Sequence, residues 1–213
     1  MNKVNNWKYK KISEFAEVIT GGTPSTTKLE YWKDGTIPWL ASGSLKDHRL
    51  YESKQFITKL GLDNSAAKMM SPKTVLIALT GATTGLTAIL EFKASANQSV
   101  TGILPSKEHY PEFLFYYLRT QRKKILALSY GAAQPHISQG FVKDLQIPLP
   151  PLSTQHKIAS ILEKAESARE KRKEANRLSN EFLKSAFLEM FGDPIKNTKR
   201  WECKKLGEAL DVR

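Results

Sequence analysis

The side chains that could do chemistry sit in short polar loops. Gly21–Lys28, GGTPSTTK, packs two glycines, a proline, four hydroxyl groups and a lysine into eight residues. Thr23, Ser25, Thr26 and Lys28, with the backbone N–H groups between them, could bind phosphate oxygens. The G-x-x-x-x-G-K-[ST] spacing of a nucleotide-binding loop is absent, and the same residues also suit an ordinary turn. Ser42, Ser44, Lys46, His48 and Arg49 follow the apolar run Ile37–Leu40. Lys and Arg read guanine edges, Asn and Gln adenine edges, and Ser and Thr either. This stretch is therefore a loop that reaches a DNA groove, or a solvated loop. Thr83 and Thr84, Gln98, and Gln134, His136 and Ser138 complete the candidate contacts. An amide at Asn97–Gln98 equally caps a turn. The basic stretch Arg119–Lys124 is a phosphate clamp or a solvated helix face.

No catalytic or metal-binding residue is assigned. The only Pro-Pro, in Leu149-Pro150-Pro151-Leu152, lacks the flanking groups of an adenine methyltransferase [DN]-P-P-[YF] loop. A metal nuclease needs clustered carboxylates near a lysine; Glu91-Phe92-Lys93 has no aspartate just upstream. Asp193, Glu202 and Lys204 have suitable types, but the corresponding position of the repeat described below holds Lys8 instead of Glu202. The four histidines and Cys203 lie at 48, 109, 136, 156 and 203, without zinc spacing. Over 213 residues, 33 Lys and Arg outweigh 21 Asp and Glu, a net charge of +12. Residues 1–150 hold 19 basic and 11 acidic residues, so most of the excess lies there. Such a balance fits a polyanion partner, or a protein that is merely basic. No apolar run is long enough to span a membrane, the N-terminus has no signal-peptide core, and a single cysteine cannot form an internal disulfide. A reducing cytoplasm is the expected compartment.

The elements that must position these loops are legible as runs. Glu17–Thr20, Ile37–Leu40, Val75–Leu79, Leu86–Leu90, Val100–Leu104 and Leu145–Leu149 read as strands between turn-forming clusters. Pro111 to about Ser129 reads as an amphipathic helix stopped by Gly131. Ile147–Leu152, with three prolines, reads as a stiff non-helical exit, and Ser153 or Thr154 as the cap of a helix running to Met190. That helix would be about 55 Å long. Ile158, Ile161, Ala165, Ala168, Arg172, Ala175, Ser179, Phe182 and Ala186 recur at three- and four-residue steps, flanked by Leu162, Leu178, Leu183, Phe187 and Met190. A stripe of this kind needs a partner helix. The expected fold class is α+β: a strand-rich domain over 1–152, a long helix over 153–190, and a linker with the start of a second repeat over 191–213. The repeat is internal: WECKKLGEALDV at 201–212 aligns without gaps on WKYKKISEFAEV at 7–18, an offset of 194.

Several motifs in order resemble the specificity subunit of type I restriction-modification systems. They are Trp7-x-x-Lys10-x-Ile12-x-Glu14; Gly21-Gly22-Thr23-Pro24-Ser25; Tyr31-Trp32; Ile37-Pro38-Trp39-Leu40; Thr80-Gly81-Ala82-Thr83-Thr84-Gly85; Asn97-Gln98; Gly131 through Ser138; and Ile147-Pro148-Leu149-Pro150-Pro151-Leu152-x-x-Gln155-x-x-Ile158-Ala159. The resemblance implies a DNA-recognition protein without catalysis of its own. In the family, two target-recognition domains each read half of a split site. Two long helices form an antiparallel coiled coil, set the distance between the halves and dock methyltransferase subunits. S-adenosylmethionine, ATP and Mg would then be held by partner subunits, including the restriction subunits. This sequence departs from the pattern in carrying one such domain and one helix, which suggests a homodimer on a palindromic split site. Two alternatives remain: an assembly or inhibitory fragment that binds methyltransferase subunits without reading DNA, and a helix-mediated adaptor.

Overall fold

The computed structural model describes residues 7–131 and 135–209. The α+β expectation holds. In chain order the elements are β1 (Tyr9–Lys11), α1 (Ile12–Phe15), β2 (Val18–Thr20), β3 (Ile37–Leu40), β4 (His48–Leu50), β5 (Gln55–Ile57), α2 (Lys59–Asp63), β6 (Val75–Ala78), β7 (Thr87–Leu90), β8 (Ser95–Ala96), β9 (Val100–Ile103), α3 (Pro111–Ala127), α4 (Gln139–Asp144), β10 (Gln146–Pro148), α5 (Leu152–Phe191) and α6 (Leu206–Ala209). The chain divides into two compact units, residues 1–162 and 163–213.

The first unit is built on a five-stranded sheet of order β2-β9-β6-β7-β4, in which β4 runs parallel to β7 and the other neighbours are antiparallel. Its three central strands, β9, β6 and β7, are buried on both faces, so they read as largely apolar runs. The two-residue period still sorts the side chains. Val75, Ile77, Ile89 and Ile103 face one core, shared with Phe113, Leu114 and Leu118 of α3, Val142 of α4 and Ala159 of α5. Leu76, Ala78, Ala88 and Leu90 face the other, closed by Leu40, Leu45, Leu50 and Met70. A second sheet, β5-β3-β8, covers a smaller core around Trp39 and Ile57. Among the described residues β1 pairs only with β10, as Lys10 opposite Ile147. Pro148 is tolerated there because a two-stranded ribbon has free edges.

The long helix begins earlier than the hydroxyl signal predicts. Leu152 is already helical, and Pro151 O accepts the N–H groups of Thr154 and Gln155 at 2.8 and 3.1 Å. Ser153 and Thr154 therefore lie in the first turn and neither is the cap. The stiff exit ends at Pro151 because proline's fixed φ suits a helix start.

One local conformation occurs in both units. The helical turn Ile12–Phe15 recurs at Leu206–Ala209, displaced by the same 194 residues. The Glu14 carboxylate accepts the Lys11 N–H at 3.1 Å, and the Glu208 carboxylate accepts the Lys205 N–H at 3.4 Å. Both copies thus use one local capping device. Between helix and repeat, Gly192 takes φ +76° and its N–H is bonded to Leu188 O. Trp201 then donates its indole N–H to Phe191 O at 2.8 Å. These contacts satisfy the orphan carbonyls of the helix end.

Candidate nucleic-acid interface

Strand directions bring most of the predicted loops to one end of the five-stranded sheet. Thr20 lies opposite Thr101, so β2 ends where β9 begins, and the Gly21–Lys28 loop starts there. Ala78 lies opposite Val100, so β6 also ends there and leads into Gly81–Thr84. β7 begins there, opposite Ile77, and β4 runs parallel to β7, so the 41–47 segment arrives at the same end. Ile137 N–H is bonded to Leu79 O, which adds the 135–138 segment. We call this the loop end.

Packing braces the loops. A Cβ on Gly21 would lie 2.1 Å from Ala96 O, and one on Gly22 would lie 2.4 Å from the Ala66 carbonyl carbon. The two glycines are demanded by close backbone approach. Trp39 donates its indole N–H to Gly22 O at 3.0 Å, and Trp32 donates to Ser25 O at 3.1 Å. Trp39 is buried and Trp32 packs edge-on against it, yet each also props the loop. Thr23 donates its hydroxyl to the Gln98 side-chain oxygen. Asn97 caps its own turn through Ser99 N–H at 3.1 Å. Lys28 reaches the Tyr31 hydroxyl at 3.0 Å, which raises its pKa.

Ser25, Thr26, Lys28, Lys46, Gln98, His136 and Ser138 are exposed, and Thr23, Ser42, Ser44 and Thr83 are half-buried. Ser138 is occupied as the cap of α4, accepting Phe141 N–H at 3.0 Å. Gln134 lies outside the described residues. Two expectations change. Thr84 is fully buried and donates its hydroxyl to Pro135 O at 2.9 Å, so it ties two loops together and has no surface to offer a groove. Arg49 points to the other end of the sheet, where its guanidinium meets Glu91 and Glu112. Two carboxylates hold it in a structural ion cluster.

The basic stretch Arg119–Lys124, expected as a phosphate clamp or a solvated helix face, braces a loop through one of its members. Arg122 donates to Thr84 O and Ala82 O, both at 3.3 Å, holding the 81–84 turn from α3. A groove of about 440 Å³ runs along edge strand β4, lined by Ser44, Lys46, His48, Tyr51 and Lys54 among others. Tyr51 is 70 % exposed. An exposed aromatic beside Leu50 carries no periodic signal that would separate it from a core residue.

The opposite end is charge-balanced. Glu112, in the first turn of α3, is buried and approached by Arg49 at 3.0 Å and Lys73 at 3.3 Å. Glu91 is paired with the same two cations. Burial works against ionisation of Glu112, but its own backbone N–H, Arg49 and Lys73 outweigh it and hold the carboxyl below its usual value. His109 is buried beside Phe15, with Nδ1 2.8 Å from the Ser106 hydroxyl; burial pushes its pKa down to about 4.

On α5, Ile158 packs against the core of the first unit. From Ser160 to Phe191 no helix residue is buried. Ile161, Leu162, Leu178, Phe182, Leu183 and Phe187 are all exposed, Phe182 by 71 %, as are Ala165, Ala168 and Ala175. Among the described residues no cluster of His, Cys, Asp or Glu could hold a metal, and no helix is long and apolar enough to cross a membrane.

The chain thus carries an α+β domain with grouped polar loops and a 40-residue helix with an exposed apolar stripe. The chain belongs to the family described as "Type I restriction modification DNA specificity domain", whose pattern matches residues 5–180. It is 29 % identical, over 227 residues, to the type I restriction enzyme MjaIX specificity subunit of Methanocaldococcus jannaschii, covering 97 % of this chain and 52 % of that protein. The crystal structure of the HsdS subunit from Thermoanaerobacter tengcongensis shares the fold, with a TM-score of 0.63 and 19 % identity over 82 % of this chain and 41 % of that one. A chain of another solved type I R-M system gives a TM-score of 0.68, also at 19 % identity, over 87 % and 45 %. The chain spans about half the length of these relatives or less.

Proposed function

We propose that this chain reads one half of a split DNA site with the loop end of its first unit, as a non-catalytic specificity component of a type I restriction-modification complex. The observation that carries this reading is the convergence of the 21–28, 41–47, 81–84, 97–99 and 135–138 segments at one end of one sheet. Thr23, Ser25, Thr26, Lys28, Ser42, Ser44, Lys46, Thr83, Gln98, His136 and Ser138 are its candidate contacts. Exposed lysines give sequence-independent phosphate affinity. Hydroxyls, amides and the imidazole read base edges.

In this reading the chain comprises a reading domain over 1–152, a docking helix over 153–190 and a repeat lead-in over 191–213. The exposed stripe of α5 pairs with the same stripe of a second copy. Two-fold symmetry then presents two identical half-sites in inverted orientation. Methyltransferase subunits dock on the paired helices and supply S-adenosylmethionine, and restriction subunits bring ATP and Mg to the assembly, in the cytoplasm.

Selection from randomised duplex DNA, with the chain and its methyltransferase subunit, tests this directly. The expected product is an inverted pair of identical half-sites at one fixed spacing. A single unrepeated half-site would remove the symmetric pairing. No enrichment from an assembled complex would leave an assembly fragment.

A further inference from the structure

Two segments of the loop end meet in one side-chain bond, and both belong to the first unit. Backbone bonds lace the 21–23 segment to the 96–99 turn. Gly21 N–H donates to Val100 O at 3.0 Å, Gly22 N–H to Ala96 O at 2.8 Å, and Asn97 N–H to Leu40 O at 2.9 Å. The turn also closes on itself: Val100 N–H donates to Asn97 O at 3.1 Å, and Asn97 Oδ1 accepts Ser99 N–H at 3.1 Å. Across this frame the Thr23 hydroxyl donates to Gln98 Oε1. Gln98 is exposed and Thr23 is half-buried. Gln98 Nε2 has no partner among the described residues.

A glutamine amide carries an acceptor on one side and two donors on the other, and a free side chain can turn either to a base. Donation from Thr23 holds Oε1 inward and turns the two N–H donors outward. In the major groove guanine presents two adjacent acceptors, N7 and O6. Adenine presents N7 beside the N6 donor, which calls for the amide oxygen as well. Cytosine presents a donor, which an N–H group cannot satisfy, and thymine a single acceptor beside a methyl group. An amide locked as a donor therefore selects guanine, whereas one free to use both of its groups pairs with adenine.

We infer that Gln98 reads one guanine of the half-site as a hydrogen-bond donor, and that Thr23 is the positioning residue that fixes this choice. This rests on the proposed reading of DNA by the loop end. The test is selection from randomised duplex DNA by the full chain with its methyltransferase subunit, comparing wild type, Gln98→Glu, Thr23→Val and Thr23→Ser. Gln98→Glu replaces the donors by an acceptor and so identifies the base position. That position is expected to be guanine in wild type and cytosine in the variant, with the rest of the half-site unchanged. Thr23→Val keeps the shape and removes the hydroxyl, so adenine is expected to enter at that position and the preference for guanine over adenine to fall about tenfold. Thr23→Ser keeps the hydroxyl and is expected to select as wild type does, a rescue that packing alone would not give. Thr23→Ala stands in should Thr23→Val fail to fold. An unchanged half-site with Gln98→Glu overturns the inference, as does a wild-type base other than guanine at the position it alters. So does a Thr23→Val selection identical to wild type, or a Thr23→Ser selection that follows Thr23→Val. Should wild type select no site at all, the proposed reading itself fails; each of the other adverse results leaves that reading standing.

Discussion

The two ends of the central sheet are built on opposite principles. At the loop end, Lys28 and Lys46 are exposed, and most polar side chains there bond to backbone or to other uncharged groups. At the opposite end, the root end from which α5 starts, Arg49 and Lys73 are matched by Glu91 and Glu112, His109 is buried and kept neutral to about pH 4, and the Gln155 amide accepts the Tyr110 N–H and donates to Glu108 O and Pro150 O. Helix α3 links them: Glu112 in its first turn belongs to the ion cluster, and Arg122 three turns later holds the 81–84 turn. The difference teaches where variation is cheap. Loop side chains that bond only locally can be exchanged at small cost, whereas each root-end group has partners that its removal would strand in a dry site.

The largest expected effect tests the root end. Glu112→Ala leaves Arg49 and Lys73 to share the carboxylate of Glu91 alone and should cost about 3 kcal/mol, the low end for breaking a buried pair, because one counter-charge remains and Lys73 is substantially solvated. Urea unfolding would measure it, and Glu112→Gln should recover only part. Half-site preference in the surviving folded protein should be unchanged; a changed preference would erase the distinction between the ends.

Next comes pH. Unfolded His109 takes up a proton near 6.5, while the folded protein keeps it neutral to about pH 4. The unfolded state binds more protons in that window, so stability is full above about 6.5 and falls as pH drops to about 4. At about 1.4 kcal/mol per pH unit the loss is roughly 3 kcal/mol. Glu112 adds a separate loss at lower pH, as its depressed pKa is crossed. Denaturant midpoints from pH 7 to 4 should show the first slope, and His109→Gln should flatten it.

The smallest effect sharpens the loop end. Lys46→Ala should leave the unfolding midpoint within about 0.5 kcal/mol of wild type, as surface substitutions do. It should weaken DNA binding by about 1 kcal/mol and reduce the slope of log K against log salt by about 1. A salt titration that returned the wild-type slope would remove Lys46 from the interface.

Local signals were strong where one physical rule dominated. The apolar runs at Ile37–Leu40, Val75–Leu79, Leu86–Leu90 and Val100–Leu104 are strands to within a residue at each end, because strands buried on both faces need unbroken apolar stretches. The helix of α3 and the repeat at 201–209 were equally plain, since periodicity and capping are written within a few residues. Three-residue strands such as β1, β4 and β5 were invisible, for their pairing partners lie far off in the chain.

The candidate site divides the same way. Sequence alone determined which residue types could meet DNA and that an apolar stripe runs along the long helix. It placed Arg49 and Thr84 beside Lys46 and Thr83 because neighbours in the chain look alike on paper. Only the tertiary structure decided their roles. A strand sends alternate side chains to opposite faces and its two ends to opposite edges of the domain. Charge pairing and burial then claim Arg49 and Thr84 for the frame, and Gln155, one polar residue in a polar helix by sequence, becomes its keystone through partners 45 and 47 residues away.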